Sequence, residues 1–318
     1  MMKNNKIQEI AKQIKKSKTI AVFTHINPDF DALGSSLSLV QMLNTMGKKA
    51  FLYTKDKLTE TQKLIFDKKY IINSKCNEEF DLFISVDTPS IERLGDYGEE
   101  FVQHSNTIVL DHHENSGLIG KLNYINEKYS SCSEIVFQVL KHLKKQINKE
   151  IATLLYSGLT GDTYSFTNSN TTEESFKNAL ELTKLGANIT RINEIQFKSR
   201  TKKEIEFIEY LWNNIQTVKN CAFCLIDYNT LKNMKGKKSD CDFYSAELIK
   251  IQGIDYSFSI IEDKKGIFNI SLRSKSGYDV RKIAEKLNGG GHLCAAGARI
   301  NAGDIQEAKN KVISLIIR

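Results

Sequence analysis

The feature that most constrains the fold is an alternation of short apolar runs with helical patterns over the first 188 residues. Between the first two runs, apolar residues from Leu33 to Leu43 recur at helical spacing. Later helices are predicted at 133–145, 149–159 and 172–185. Strand–helix alternation of this kind predicts a parallel sheet covered by helices. The predicted strands are 19–24, 49–54, 81–86 and 106–110.

A different rhythm follows this part of the chain. The segment 189–215 is helical in pattern and highly charged, which indicates a linker between domains. Beyond it, strands and helices alternate irregularly, with two adjacent strands at 256–262 and 267–273 and a last helix at 304–317. The sequence therefore predicts an α/β protein with a parallel-sheet domain (1–188), a helical linker (189–215) and a smaller mixed α/β domain (216–318), with a cleft between the domains.

Composition places the chain among globular proteins. Of 318 residues, 41% are hydrophobic and 26% are charged. No apolar run approaches the ~18 residues that span a bilayer, and no signal-peptide core is visible, so we expect a cytoplasmic protein without a membrane partner. The six cysteines are scattered, which is typical of reduced thiols. Cys221 and Cys224 have the spacing of half a zinc site, but no second pair exists, and buried structural thiols are the favoured interpretation.

The net charge of +7 is unevenly distributed. The part from Gln216 onward has 17 basic residues (lysine and arginine) and 11 acidic residues. The first 215 residues have 28 basic and 27 acidic residues. A basic C-terminal part indicates an anionic partner such as phosphate or nucleic acid. A solvated lysine-rich surface explains the charge equally simply, and charge alone favours that explanation.

Polar side chains follow several of the predicted strands at their ends. Ligands bind at the carboxyl edge of an open parallel sheet, so we expect these residues to gather in space. One further aspartate, Asp162, is expected in a glycine-rich turn after a helix. The strand-end residues are His25, Asp29 and Asp31 after the first strand, Asp87 after the third, and Asp111, His112 and His113 after the fourth.

The residue types in this set indicate a metal site. Carboxylate oxygens suit hard divalent cations, and imidazole suits manganese-like ions. Four of these aspartates and two of these histidines already exceed what one catalytic ion needs, but they suffice for two ions that share a bridging carboxylate. The alternative is a set of solvated loop residues and helix caps, which is weak because four such sites each follow an apolar element.

These motifs resemble those of the DHH phosphoesterase family. The N-terminal matches are His25–Ser35 (HINPDFDALGS), Asp87, Asp111-His112-His113 and Gly161-Asp162-Thr163. The C-terminal segments 273–275 (RSK), 289–292 (GGGH) and 295–297 (AAG) resemble the DHH-associated C-terminal domain. The resemblance covers nearly the whole chain and is strongest to the NrnA-type branch of oligoribonucleases and adenosine 3′,5′-bisphosphate (pAp) phosphatases. It implies a catalytic domain at 1–188 and a substrate-binding domain at 216–318.

The resemblance also implies roles for individual residues. Two Mn²⁺ ions, with Mg²⁺ or Co²⁺ as alternatives, would share Asp87. His113 would face the substrate phosphate, and Asp111 would orient a histidine. Where family members often have Asp-Thr-Gly, this chain has Asp162-Thr163-Tyr164, so the local turn can differ. The implied ligands are His25, Asp29 and Asp87 for one ion, and Asp31, Asp87, His112 and Asp162 for the other.

The C-terminal motifs are expected to bind substrate. Glycines allow close backbone approach to an anion, although three glycines alone could equally form a flexible turn. Arginine offers a planar donor fork for phosphate. The expected substrate-binding residues are Arg273, Ser274, Lys275, Gly289, Gly290, Gly291 and His292.

The predicted function is metal-dependent hydrolysis of short single-stranded oligoribonucleotides to mononucleotides and of pAp to AMP. A cyclic-di-AMP or linear pApA phosphodiesterase uses the same chemistry and stays open, whereas the glycine-rich tail argues against an inorganic pyrophosphatase. A non-catalytic RNA-binding protein is the alternative from another class, but it predicts decayed acidic motifs, and none is missing. The sequence does not fix the oligomeric state, and a homodimer is compatible with it.

Overall fold

The computed structural model describes residues 4–76, 79–113, 116–117 and 120–316. The chain divides into two compact units, Met1–Ser199 and Arg200–Arg318. Within the described ranges, no helix is both long and apolar enough to cross a membrane.

The first unit is built on a six-stranded parallel sheet with the strand order β3-β2-β1-β4-β5-β6. The prediction of a parallel sheet is confirmed, and the sheet adds two strands, β3 and β6, that the apolar pattern does not reveal. The strands are β1 Thr19–Phe23, β2 Lys49–Tyr53, β3 Ile71–Ile72, β4 Leu82–Val86, β5 Thr107–Asp111 and β6 Leu122–Ile125.

Both faces of this sheet are covered by apolar side chains. Along β1, Ile20 and Val22 belong to one buried cluster, whereas Ala21 and Phe23 belong to another on the opposite face. This arrangement explains the continuous apolar runs, because a strand buried on both faces has no polar alternation. The helices of the unit are α1 Ile7–Lys16, α2 Phe30–Thr45, α3 Gly98–Gln103, α4 Cys132–Leu143, α5 Lys149–Thr163, α6 Glu173–Lys184 and α7 Ile189–Phe197.

Helices α2 and α5 approach each other closely through two glycines. A Cβ on Gly34 would lie 2.6 Å from the Leu154 carbonyl oxygen, and one on Gly158 would lie 2.6 Å from Asp31 Oδ1 of α2. Neither distance is tolerable for a methyl group, so glycine is required at this crossing. The contact brings the C-terminal half of α5 against the start of α2, where the polar residues after β1 lie.

The second unit contains a mixed sheet with the order β11-β12-β10-β9-β8-β7, in which only β8 and β9 pair in parallel. This agrees with the predicted mixed α/β architecture. The strands are β7 Gln216–Val218, β8 Cys221–Ile226, β9 Tyr256–Lys264, β10 Ile267–Ser274, β11 Gly290–His292 and β12 Ala295–Asn301. The helices are α8 Lys202–Asn213, α9 Tyr228–Asn233, α10 Tyr244–Leu248, α11 Arg281–Lys286 and α12 Ile305–Ile316.

The predicted linker 189–215 is divided between the two units. Helix α7 buries Ile192 in the main core of the first unit. Helix α8 buries Phe207 and Leu211 in a core cluster of the second unit, together with Cys224. Cys221 and Cys224 are both buried thiols on β8, as the structural interpretation of this pair expects.

Candidate metal centre

The candidate site lies at the carboxyl edge of the parallel sheet, where three neighbouring strands end. His25 follows β1, Asp87 follows β4, and His112 follows β5, whose last residue is Asp111. Asp87 adopts a left-handed backbone conformation with φ 58°, a region that non-glycine residues enter at a cost. Its backbone N–H nevertheless donates to Leu110 O at 2.9 Å, which fixes the residue to the neighbouring strand.

His25, Asp29 and Asp87 form a first group of potential metal ligands. His25 Nε2 lies 3.8 Å from Asp29 Oδ2 and 3.7 Å from Asp87 Oδ2. Asp29 is the N-cap of α2, and its other oxygen, Oδ1, accepts the backbone N–H groups of Asp31 and Ala32. One oxygen of Asp29 therefore holds the helix, and the other faces the histidine.

Asp31, His112 and Asp162 form a second group. His112 Nε2 lies 3.2 Å from Asp162 Oδ2 and 3.5 Å from Asp87 Oδ1, so Asp87 adjoins both groups. The Asp31 carboxylate is fully buried and accepts the backbone N–H groups of Cys132 and Ser133 at the start of α4. The partial positive charge of a helix N-terminus stabilises an anion there.

The position predicted for Asp162 is wrong. The sequence pattern predicts a helix that ends at Leu159 and a turn at Asp162, whereas α5 continues to Thr163. The glycines at 158 and 161 do not break this helix, because they pack directly against α2. After it, Tyr164, Ser165 and Phe166 are all left-handed, so Tyr164 adopts the conformation that glycine would favour in the family motif.

Asp111 orients His113. The carboxylate oxygen Oδ1 of Asp111 lies 2.7 Å from His113 Nδ1 and also accepts the backbone N–H of His112 at 2.9 Å. This contact holds the His113 ring in one orientation. Asp87 also lies close to the ring, with its Oδ1 3.7 Å from His113 Nδ1.

Burial and mutual charge shift the acidities of these groups in opposite directions. Burial, reinforced by Asp162 and Asp87, raises the pKa of Asp31 well above its usual range. Burial also opposes ionisation of Asp87, yet His112, His113 and His25 outweigh it and lower its pKa. For His112, burial favours the neutral ring, but Asp162 and Asp87 raise its pKa well above the usual value.

The chemistry of this set fits a bound cation. Asp87 Oδ1 and Asp111 Oδ2 are buried and have no hydrogen-bond partner among the described residues. Buried carboxylates without sufficient donors are costly unless a positive charge compensates them. His112 directs Nδ1 to the Tyr129 carbonyl at 3.3 Å and leaves Nε2 toward the acids, as a metal-binding histidine does. These residues can therefore hold a metal ion.

Arg93 is a residue of this region that the sequence analysis missed. It lies in a short 3₁₀ helix, Glu92–Tyr97, that follows β4. Its guanidinium Nη2 lies 3.0 Å from His25 Nδ1, and its carbonyl oxygen accepts the Ile26 N–H at 2.8 Å. The only sequence signal for Arg93 is its position six residues after the strand-end Asp87. Its contact with His25 forms only because the chain folds back toward the end of β1.

Two family models match the chain. The model for the DHH family, N-terminal domain, matches residues 19–159, and the DHHA1 domain model matches residues 229–318. The chain combines a DHH domain with a DHHA1 domain. The resemblance found from the sequence motifs is confirmed, and the potential metal ligands above lie in the first of these domains except for Asp162, which lies three residues beyond its matched range.

Curated relatives match over nearly the whole DHH–DHHA1 chain. A probable bifunctional oligoribonuclease and PAP phosphatase NrnA from Streptococcus mutans is 29% identical over 95% of this chain and 97% of its own length. The bifunctional oligoribonuclease and PAP phosphatase NrnA of Bacillus subtilis is 28% identical over 93% and 94%. The solved structure of an exopolyphosphatase-related protein from Bacteroides fragilis has a TM-score of 0.90 at 23% identity, covering 98% of this chain and 95% of that one, which shows the shared fold.

Within the DHHA1 domain, strand pairing places Arg273 and His292 in one row. Ala295 on β12 is the partner of Arg273 on one side and of His292 on the other. Directly opposed residues share a face, so the two side chains project from the same side of the sheet, roughly 10 Å apart across two strand spacings. The next row, Leu272 with Ala296, packs into the core on the opposite face.

The other predicted substrate residues have mixed environments. Lys275 and Gly290 are exposed, whereas Ser274 is buried and donates from Oγ to the Tyr278 carbonyl at 2.8 Å. The run 289–292 is not a loose turn, because Gly290–His292 forms the edge strand β11.

Two of the three glycines in that run are required by packing. A Cβ on Gly289 would lie 2.1 Å from Gly297 O, and one on Gly291 would lie 2.6 Å from Ala295 O. A Cβ on Gly290 meets nothing within 4 Å. Close approach of two strands is therefore a sufficient reason for Gly289 and Gly291, and Gly290 is the position at which glycine leaves open space.

Proposed function

We propose that this chain is a metal-dependent phosphoesterase that hydrolyses short oligoribonucleotides to mononucleotides and removes the 3′-phosphate of pAp. The observation that carries the proposal is the position of Asp87, which belongs to the group with His25 and Asp29 and whose Oδ1 lies 3.5 Å from His112 Nε2 of the second group. The names of the Streptococcus mutans and Bacillus subtilis relatives support the substrate class.

The ligand assignment follows the two groups described above. His25, Asp29 and Asp87 would hold one Mn²⁺, and Asp31, His112 and Asp162 would hold a second together with Asp87. Mg²⁺ and Co²⁺ are the alternative ions. A pair of divalent ions at such a site activates water and stabilises both the attacking and the leaving oxygen of a phosphoryl group.

In the proposed reaction, His113 would supply the proton to the leaving oxygen, and Asp111 would orient His113. Asp111 Oδ1 lies 2.7 Å from His113 Nδ1 and would hold the ring so that Nε2 contacts the substrate phosphate. Burial favours its neutral form, but Asp111 and Asp87 outweigh burial and raise its pKa. A protonated Nε2 donates a charge-assisted hydrogen bond to a phosphate oxygen and is suited to protonate the leaving oxygen.

In the DHHA1 domain, Arg273, Lys275 and His292 would bind the part of the substrate that is not cleaved. Burial lowers the pKa of Arg273, but an arginine stays cationic in proteins. Gly290 leaves the backbone of an edge strand open, and Ser274, whose hydroxyl is engaged with Tyr278 O, supports the turn beside Arg273.

The proposal is tested by one substrate panel. The purified full chain is assayed with Mn²⁺, Mg²⁺ and Co²⁺ on a diribonucleotide, pAp, linear pApA, cyclic-di-AMP and a long RNA, and kcat/KM is compared. We expect Mn²⁺-dependent release of mononucleotide from the diribonucleotide and of phosphate from pAp, with long RNA a poor substrate.

Other outcomes assign other functions. A dominant kcat/KM on cyclic-di-AMP or pApA would replace the proposal by a cyclic-dinucleotide phosphodiesterase. RNA binding without hydrolysis under every metal condition would support a non-catalytic RNA-binding protein and refute an enzyme.

A further inference from the structure

Arg93 is a cation beside the candidate metal centre for which the described residues provide no acidic partner. No carboxylate oxygen of the described chain lies within 4.0 Å of its guanidinium, although surface lysines such as Lys141 and Lys177 form such pairs. The side chain is partly buried, and the short 3₁₀ helix Glu92–Tyr97 carries it. A partly buried guanidinium without a carboxylate is expensive unless another anion compensates it.

The Arg93 guanidinium lies next to Nδ1 of His25, which could not accept a hydrogen bond from it once His25 binds a metal. His25 Nδ1 lies 2.9 Å from the Ile26 carbonyl and 3.0 Å from Arg93 Nη2. A histidine that binds a metal through Nε2 carries its proton on Nδ1 and donates it to a second-shell acceptor. Here that acceptor is Ile26 O, so the contact between Arg93 and Nδ1 becomes one of donor against donor.

Two nearby carboxylates, Asp29 and Asp56, are already engaged, and a third, Asp87, would be engaged by a bound metal ion. Asp29 Oδ1 accepts two N–H groups of α2, and its Oδ2 faces His25 Nε2. Asp56 Oδ2 accepts the backbone N–H of Asn27 at 2.7 Å. Burial lowers the pKa of Arg93, while Asp29, Asp87 and Asp56 act in the opposite direction, which places these acids within electrostatic range of it. In the metal-loaded chain the guanidinium therefore needs an acceptor from outside the protein.

We propose that Arg93 binds a non-bridging oxygen of the phosphoryl group that is cleaved. The assignment rests on the proposed phosphoesterase function. A planar guanidinium donates two parallel hydrogen bonds to a phosphate, and it stabilises the charge that the group spreads over its oxygens during transfer. The proposed role of Arg93 differs from that of Arg273, because Arg93 contacts the phosphoryl group common to all substrates, whereas Arg273 contacts the nucleotide attached to it.

The first test measures binding without turnover. Manganese binding by the full chain is followed by electron paramagnetic resonance of free Mn²⁺, and inorganic phosphate is titrated into the manganese-loaded protein by calorimetry. The variants are Arg93→Ala, Arg93→Lys and a matched control, Arg191→Ala. The control arginine lies in the same unit and donates to the Leu64 carbonyl at 2.7 Å.

We expect Arg93→Ala to bind manganese with unchanged stoichiometry and to lose phosphate affinity by ~10-fold or more, as for a charge-assisted hydrogen bond. Arg93→Lys should recover part of this loss, and Arg191→Ala should match the wild type. Loss of manganese binding in Arg93→Ala with unchanged phosphate affinity of the loaded fraction would assign Arg93 to positioning His25 and overturn the proposal.

The second test separates this assignment from the proposed function. For Arg93→Ala, kcat/KM should fall by a similar factor on a diribonucleotide and on bis-p-nitrophenyl phosphate, since both contain the phosphoryl group. A wild-type chain that hydrolyses neither ester with any of the three metals refutes the phosphoesterase function. A wild-type chain that hydrolyses both, with an Arg93→Ala variant that loses activity only on the diribonucleotide, refutes the Arg93 assignment alone.

Discussion

The two units arrange their charged residues in opposite ways. In the first, acids and histidines converge in buried positions: Asp31 is 0% exposed, Asp87 2% and His112 7%. In the second, His292 on the edge strand β11 and Lys275 are exposed, and Arg273 in the same row as His292 is half-buried. The first arrangement buries a cluster of charged groups at a sheet edge, whereas the second leaves its charged groups wholly or partly exposed.

This difference indicates how the two units would divide metal binding and substrate binding in the proposed function. Groups held by strand ends and helix termini keep a fixed geometry, which ion binding and phosphoryl chemistry require. An open edge of backbone and long side chains tolerates ligands of different length. We therefore expect substitutions in the first unit to affect every substrate and those in the second to affect nucleotides selectively.

The largest effect is expected for Asp87→Ala. The variant removes the carboxylate that adjoins both ligand groups, so manganese affinity should fall by more than the ~100-fold typical of second-shell changes, and hydrolysis should be abolished on all substrates. Metal titration and turnover assays measure this, with circular dichroism to verify folding. Asp67→Ala is the control, because Asp67 only caps a short 3₁₀ helix. Near-wild-type turnover of folded Asp87→Ala would remove the metal assignment.

The next effect distinguishes the second unit. Arg273→Ala and His292→Ala should each retain bound manganese and lose roughly 1.5–3 kcal/mol in kcat/KM on nucleotide substrates. Hydrolysis of bis-p-nitrophenyl phosphate should fall much less, because this ester offers few of the nucleotide contacts. The ratio of the two losses is the measurement. Equal losses on both substrates would place these residues in the catalytic centre or in the fold.

A smaller effect concerns the two kinds of glycine. In Gly158→Ala the new methyl group would lie 2.0 Å from Ser133 Oγ and 2.6 Å from Asp31 Oδ1. Overpacking of this kind typically costs about 1–3 kcal/mol of folding free energy. Urea unfolding should show this loss, accompanied by weaker manganese binding. Gly290→Ala is the stability control in the second unit, where the methyl group meets open space. Equal stability of the two variants would contradict the close α2–α5 contact.

The smallest effect is a pH dependence away from the metal centre. In the first unit, hydrogen bonds from the backbone of Thr19 and Lys18 lower the pKa of Asp81. In the second, Asn220 and Tyr278 lower that of Asp255. A lowered folded-state pKa contributes stability that is present above the ordinary value of 3.8 and is lost as the pH falls through the folded value.

Melting curves of Asp81→Asn and Asp255→Asn measure this contribution in each unit. Each variant should melt slightly below the wild type at neutral pH, and the difference should close in strong acid, where the wild-type carboxyl is also neutral. Because Asp81 is exposed and Asp255 is only half-buried, solvent screens them and the shifts should be small. A gap that persists unchanged in strong acid would show that charge is not its cause.

A simple rule suffices to predict that several candidate metal ligands meet at one edge of the sheet. His25, Asp87 and His112 follow apolar strands, and the carboxyl ends of parallel strands meet at one edge. The predicted turn at Asp162 is wrong because Gly158 and Gly161 lower the helical propensity of the sequence. Their close packing against α2 is a property of the folded chain that this propensity does not include. β6 was missed for a different reason, since its half-buried residues form no clear apolar run.

Arg93 and the glycines of β11 show a second limit. Arg93 approaches His25 only through a fold-back of the chain, and no local pattern encodes that contact. Gly289 and Gly291 carry the signal of a phosphate-binding loop, yet strand packing already requires glycine at both positions. Sequence alone does not separate a glycine needed by a ligand from one needed by a neighbouring strand.

The order of the strands has a consequence for how the protein is made. The central strand β1 is synthesised first but pairs with β2 and β4, and the candidate ligands run from His25 to Asp162 along the chain. A nascent chain shorter than about half the protein therefore lacks the complete set, and loading with a cation must follow folding of nearly the whole first unit. Such an ion would stabilise that unit globally, by about 2.7 kcal/mol at a free concentration of 100 times its Kd. The ion would thus stabilise the domain after it has folded and would not initiate its folding.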